Sequence, residues 1–402
     1  MFGKSNTGLG KEAGGDMKEF NRSISATHAP PAGESFRWGS KATRSSRFRF
    51  LLLSVFLCCQ VWAEGSPRPA SRGGVTDKPY IRQSGSGTAI GGYIDHELIW
   101  NNKKKTFDQH RFIPFIHASV SDRIHVTAEI EFEHGGLVKG TGESDGEVKL
   151  EFATIDISFA EYLNYRGGVI LSPLGRFNLI HDSPLNDLTN RPLVDRQIIP
   201  TTLSEAGMGL FGAVYPTESA LVGYEIYLVN GFGEATAASI RSGRGSQKAD
   251  NNEEKSVVGR LNYSPLIGVD LGASFHWGAY DDDGDDNLTI AAIDGSMNRG
   301  PWEVRGEFAR ASVDGAAADN RFGYYAQAAY HVLPGLLPQF PNSIFTVTFR
   351  YDFIDLDVSE ETRYTLGVNL RPEEDTVLKL DYEVYDQDDD SNGIIFSVAS
   401  YF

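Results

Sequence analysis

From about residue 86 to the end of the chain, apolar and polar residues alternate one by one in segment after segment. That period of two constrains the fold more than any other feature, because it places successive side chains on opposite faces of an extended strand. In Val269–Trp277, Val269, Leu271, Ala273, Phe275 and Trp277 share one face, and Asp270, Gly272, Ser274 and His276 the other. Ile124, Val126, Ala128, Ile130 and Phe132 likewise oppose His125, Thr127, Glu129, Glu131 and Glu133. Tyr364, Leu366, Val368 and Leu370 oppose Arg363, Thr365, Asn369 and Arg371, and Leu378, Leu380, Tyr382 and Val384 oppose Lys379, Asp381 and Glu383. Convincing helical periodicity is absent. Sixteen alternating segments can be read, at about 86–100, 109–120, 123–134, 147–160, 166–173, 206–215, 219–230, 256–264, 268–280, 288–296, 301–313, 321–333, 343–354, 362–371, 375–386 and 392–402.

The connections between them alternate in length. Long ones at 135–146, 174–205 and 231–255 are interleaved with short ones at 121–122, 161–165 and 265–267. The Leu333–Asn342 connection breaks this rhythm, with three prolines where a tight turn is expected. An even number of strands with alternating connections is the pattern of a transmembrane antiparallel β-barrel, with long loops outside and short turns in the periplasm. Strands of 9–11 residues suffice to cross a bilayer when tilted, and closure leaves no unpaired backbone in lipid. A secreted sandwich also alternates, but its inner faces must be dry, whereas here one face of nearly every strand carries charged or amide residues. The expected fold is therefore all-β, a closed barrel of about sixteen strands. The final Ser-Val-Ala-Ser-Tyr-Phe resembles the C-terminal assembly signal of outer-membrane proteins, so barrel assembly machinery is an expected partner. Trp100, Trp277, Tyr280, Trp302, Tyr351, Phe353 and Tyr385 lie at strand ends, where interfacial girdles form.

The front of the chain is expected to be a targeting segment. Lys41, Arg44, Arg47 and Arg49 precede the apolar run Phe50–Cys59, and Val61-Trp62-Ala63 suits cleavage after Ala63. The apolar run is shorter than a spanning helix needs. Residues ahead of it are polar and patternless, which fits either an extended leader or a true start further in, Met17 being one candidate. The expected organisation is residues 1–63 as extension and signal peptide, 64–85 as a periplasmic leader and 86–402 as the barrel. Residues 1–63 hold 9 basic and 4 acidic residues, so the other 339 hold 28 Lys+Arg against 50 Asp+Glu, a net of −22. That balance excludes a nucleic-acid partner, which needs clustered cations. Both cysteines, Cys58 and Cys59, lie in the leader, so the barrel has no thiol for a disulfide, a zinc site or a redox motif.

Sixteen strands leave an aqueous lumen unless something fills it. The longest connection, 174–205, carries Phe177, Leu179, Leu188, Leu193, Ile198 and Ile199, apolar anchors that a solvated loop would not need. It is therefore expected to fold onto the inner wall as a constriction after the fifth strand. Arg166-Gly-Gly-Val-Ile-Leu-Ser-Pro-Leu-Gly-Arg-Phe-Asn178 resembles the fifth-strand motif of the phosphate-selective porin O/P family. Asn190-Arg-Pro-Leu-Val194, Ile199-Pro-Thr-Thr202, Glu205 and Gly207-Met-Gly-Leu210 resemble its constriction loop and sixth strand, and Leu150–Asp156 matches the preceding strand loosely. The motifs cover about 60 residues. The resemblance implies a homotrimeric outer-membrane channel for small hydrophilic solutes or ions, anions such as phosphate among them, without cofactors. The chain departs from the family in its acidity, with Glu129, Glu131 and Glu133 on an inward face.

Candidate selectivity residues are Arg176, His181, Arg191 and Arg196 in the loop, with Glu129, Glu131, Arg305, Arg350, Arg363, Arg371 and Lys379 on inward faces. Rings of such charge set which ions a pore concentrates, and guanidinium forks suit phosphate and carboxylate. The loop arginines have a structural alternative, as partners of Asp182, Asp187, Asp195 and Glu205. The acidic runs at Asp281–Asp286 and Asp386–Asp390 suit hard cations, with Asp281, Asp283 and Asp285 as weak calcium candidates, but they lack the spacing of an EF-hand. Their other reading is solvated outer loops meeting lipid and lipopolysaccharide. His181-Asp182-Ser183 and the strand trio Asp270, Ser274 and His276 offer no fixed nucleophile–base–orienter geometry, so an enzyme is not expected. The alternative to a channel is a filled barrel acting as a surface adhesin or structural anchor.

Overall fold

The computed structural model describes residues 87–135, 146–245, 250 and 252–402. The expected signal segment and leader, residues 1–85, lie wholly outside these residues. The strands are β1 (Thr88–Asn101), β2 (Lys105–Ser121), β3 (Ile124–Glu133), β4 (Glu147–Ala160), β5 (Leu163–Leu171), β6 (Ser204–Val214), β7 (Leu221–Val229) and β8 (Ser256–Leu266). They continue as β9 (Val269–Ala279), β10 (Asn287–Arg299), β11 (Trp302–Val313), β12 (Asn320–Val332), β13 (Ile344–Asp355), β14 (Glu360–Glu373), β15 (Thr376–Tyr385) and β16 (Gly393–Tyr401). Each pairs antiparallel with its neighbours in sequence, and β16 pairs β1 from Tyr93↔Tyr401 to Asn101↔Gly393, closing a sixteen-stranded barrel.

The two faces follow the alternation. On β9, Leu271, Phe275 and Trp277 are exposed while Ser274 and His276 are buried. On β14, Tyr364, Leu366 and Val368 face out and Arg363, Thr365 and Asn369 face in. Apolar outside and polar inside is the inverse of a soluble protein and the arrangement lipid demands. Trp100, Trp277 and Trp302 stand outward near strand ends. Tyr280 and Tyr385 do not join that girdle. Tyr280 donates to the Asp314 carbonyl, and Tyr385 donates to Glu383 Oε2 at 3.0 Å while receiving Arg363. Their hydroxyls are used by polar partners that lipid could not supply.

Observed strand ends lie within four residues of those read from the alternation. The largest shift is at β2, where ladder pairing runs on to Trp100↔Lys105 and leaves a three-residue connection instead of an eight-residue loop. The proline-rich 333–343 connection remains the long exception at the short-turn end. Two small bends fit it there: Leu337↔Phe340 form an isolated bridge, and Leu333 adopts φ +52.

The interior is fuller than a wet, open face would require. The connection after β5, residues 172–203, turns into the barrel rather than out of it. Its Leu174, Leu193, Val194, Ile198, Ile199 and Leu203 join wall residues such as Tyr227, Val258, Ala309, Tyr325 and Ile354 in one buried apolar cluster. Leu179 joins a second cluster with Phe115 and Phe152.

Candidate functional site

The inward connection is tied to the wall along its length, and the ties explain why it holds its place. Gly175 turns it at φ +69, where a side chain would be strained and a Cβ would sit 2.1 Å from Glu307 Oε1. Just beyond, Glu307 on β11 accepts the N–H groups of Arg176 and Phe177 at 2.9 and 3.1 Å. Further along, Ser183 donates to Asp95 (2.6 Å), the N–H of Thr189 to Asp381 (2.7 Å), Asn190 to Glu383 (2.7 Å) and the N–H of Leu193 to Asp352 (3.1 Å). Wall cations answer with hydrogen bonds to loop carbonyls. Lys379 reaches Ser183 (2.7 Å), Arg371 reaches Pro184 (2.6 Å), Arg350 reaches Asn190 (2.9 Å) and Arg363 reaches Arg191 (2.7 Å). Charge-assisted bonds of this kind are worth about 1.5–3 kcal/mol each where desolvated.

These ties account for several residues that the sequence marks as pore-lining candidates. Arg350 and Arg363 both hold Asp352 (2.9 and 3.1 Å), and Arg363 also approaches Glu383 at 3.4 Å. Arg371 pairs with Asp187 at 3.4 Å. Arg305 lies 3.8 Å from Glu303, both on β11. All but Arg371 are buried, so they face inward as expected; Arg350, Arg363 and Arg371 meet the loop, while Arg305 lies against Glu303 of its own strand. Glu131 is held by Arg111 at 3.0 Å, and Glu129 is fully buried beside it on β3. His181 is buried, bonded to Glu151 through Nε2 and to the Asn178 carbonyl through Nδ1 at 2.8 Å. Its neighbours serve other partners: Ser183 bonds Asp95, and Asp182 receives the Tyr401 hydroxyl at 2.9 Å. The acidic run at 281–286 is used locally. Asp281 caps its own turn by accepting the N–H groups of Asp285 and Asp286 (3.2 and 2.9 Å), while Asp283 and Asp285 are exposed.

The loop arginines behave differently. Arg176 and Arg191 are half-buried and Arg196 is exposed. Around the carbonyls of Thr201 and Thr202 the structure gathers cations from three chain segments. Arg191 and Arg241 (3.1 Å) donate to Thr201, and Arg244 (3.2 Å) and Lys149 (3.3 Å) to Thr202. Arg241 also reaches the Arg196 carbonyl at 3.4 Å. Carbonyl dipoles spread this charge without neutralising it. Burial, with Arg244, Arg191 and Arg196 close by, pushes the Arg241 guanidinium down to about 10. Burial and Arg111 lower Arg191 in the same direction. Acidic relief comes from the β3 and β4 side, where Glu131 lies 4.0 Å from Lys149, Glu133 acts on Arg191 and Arg241, and Glu151 on Lys149.

The alternation reveals neither Lys149, Arg241 nor Arg244 as members of this cluster. The long connection 231–255 reads as an outer loop. The signal available was its local charge, Arg241-Ser-Gly-Arg244 in an otherwise acidic chain.

No family model matches the chain. It is 29% identical to an uncharacterised protein of Aquifex aeolicus, over 88% of this chain and 86% of that one. Among solved structures it is similar to the anion-selective porin from Comamonas acidovorans, with a TM-score of 0.53 and 12% identity over 79% of this chain and all of that one. It is similar to OmpF of Salmonella typhi, with a TM-score of 0.52 and 11% identity over 79% and 98%. A loop-deleted form of OmpT, an outer membrane protein of Vibrio cholerae, gives 0.53 and 12% over 78% and 99%. At these identities the likeness is one of fold. A closed barrel of this strand number with an apolar outer face is a protein of the bacterial outer membrane.

Proposed function

We propose that this barrel is a porin through which small hydrophilic solutes or ions diffuse passively, with anions, phosphate among them, favoured at the constriction. The observation that carries the reading is the convergence of Arg191, Arg241, Arg244 and Lys149 on Thr201 and Thr202, with exposed Arg196 alongside. Selectivity is set where the path is narrowest and least screened, not by the net charge of the chain. A net of −22 is therefore compatible with an anion-favouring waist, since inward acids such as Glu131, Asp187 and Asp352 are paired with arginines. Catalysis has no part in the reading. A homotrimer is proposed with it; a solved structure of OmpT from Vibrio cholerae is described as a trimer form.

A second reading has its own observation. Lumen-facing Asp352, Arg363 and Thr365 have no exposed surface, so much of the barrel is filled. A filled barrel suits a surface adhesin or anchor.

Reversal potential in a planar bilayer under a KCl gradient separates these. Conductance steps with anion preference are the expected result. Steps with cation preference would remove the anion assignment and keep the channel. Silence from a correctly folded barrel would overturn the porin and leave the anchor. Replacing Arg241 and Arg244 together by Glu is expected to move the reversal potential toward the cation side without abolishing conductance.

A further inference from the structure

We infer that Asp108, His110 and His134 form a site for a divalent transition-metal ion of the zinc class at the long-loop rim of the barrel. Their ligand atoms all lie within 4.8 Å of one another. Asp108 Oδ2 is 3.2 Å from His110 Nδ1 and 3.0 Å from His134 Nδ1. A tetrahedral ion with bonds of about 2.0–2.2 Å separates its ligands by roughly 3.3–3.5 Å, so a small outward movement would admit it. Imidazole nitrogen with carboxylate oxygen is the donor set that zinc and its neighbours take, whereas calcium prefers oxygen alone.

Three local features place these groups together. A register shift between β1 and β2 sets Asp95 opposite Arg111 and Glu97 opposite Asp108, so two residues of β2, Gln109 and His110, oppose one of β1. Such a bulge re-aims a side chain, and here it turns His110 to the side of Glu97 and Asp108. His134 follows the last residue of β3 in the left-handed region, at φ +58, while its N–H donates to the His110 carbonyl at 3.0 Å. The two rings meet edge to face with centroids 5.3 Å apart. Behind His110, Glu97 Oε1 stands 3.9 Å from Nε2, the ring nitrogen turned away from Asp108. A carboxylate behind a ligating imidazole fixes its tautomer and strengthens it as a ligand. Three protein ligands leave a fourth position for water.

The test uses the folded full-length barrel in detergent, titrated with Zn2+ by calorimetry and with Co2+ by visible absorption. The expected result is one strong site per chain with the absorption of four-coordinate cobalt. Asp108→Ala and His134→Ala should each weaken Zn2+ at least tenfold, and Glu97→Gln by about tenfold, as loss of an outer carboxylate does elsewhere. Heat-modifiable migration on gels confirms that each variant is folded. A wild-type barrel that takes no Zn2+, or that binds it equally after His134→Ala, overturns the site. So does displacement of Zn2+ by excess Ca2+, which would assign the binding to the acidic loops.

Discussion

Few residues carry more consequence here than Asp352. It is wholly buried, it holds Arg350 and Arg363, and it accepts the N–H of Leu193, so one carboxylate joins wall to loop. Asp352→Asn leaves two guanidinium groups without their shared anion, a class of change that costs about 3–5 kcal/mol. Urea unfolding followed by gel migration should show that loss, while Asp283→Asn in the exposed turn should leave the midpoint unchanged. Asp195 gives a pH test. Burial, with Glu307 and Asp352 nearby, pushes its carboxyl well above the usual range. The folded chain therefore holds a proton that the unfolded chain releases near pH 4, and stability falls as pH rises from there toward the raised value. Asp195→Asn removes that slope and should be the more stable form at pH 7. An unchanged pH profile would mean that Asp195 does not titrate as its surroundings imply.

At the scale of elements, the strands were legible and the inward loop only in outline. Alternation locates β9 or β14 to within two residues because an error of one would turn Arg363 into lipid and Leu366 into the lumen. Apolar residues in 174–205 reveal that the segment must be buried, and it is. What they cannot reveal is which wall groups receive it. The partners of Ser183, Thr189 and Leu193 lie far away in sequence, on β1, β15 and β13. The same limit hid Arg241 and Arg244, whose relation to Thr201 and Thr202 exists only after closure. If the loop narrows the pore, removing residues 183–200 should raise single-channel conductance several-fold and reduce ion preference. Conductance that stays the same would place the narrow point elsewhere.

For the whole molecule, the outer surface makes the simplest claim. Leu366 is 53% exposed midway along β14, between Phe349 on β13 and Tyr382 on β15. Leu366→Arg should lower the folding free energy in vesicles by about 2–4 kcal/mol, the cost of a cation at the bilayer midplane. A neutral result would put that part of β14 against another subunit or in water. The order of assembly follows from where the loop is tied. Its anchors include Glu307, Asp352, Arg363, Arg371, Lys379, Asp381 and Tyr401, all of which come more than a hundred residues after it. Contacts of such long separation form late, because their chain closure must come first. A barrel still waiting for its final four strands would hold this segment only by its earlier ties, to Asp95 on β1, Glu151 on β4 and Glu307 on β11, and would lack those to Asp352, Arg363, Arg371, Lys379 and Asp381. The stretch from Pro184 to Leu193 is therefore the last part of the molecule to be fixed, and a chain stalled before β13 would carry it only half secured.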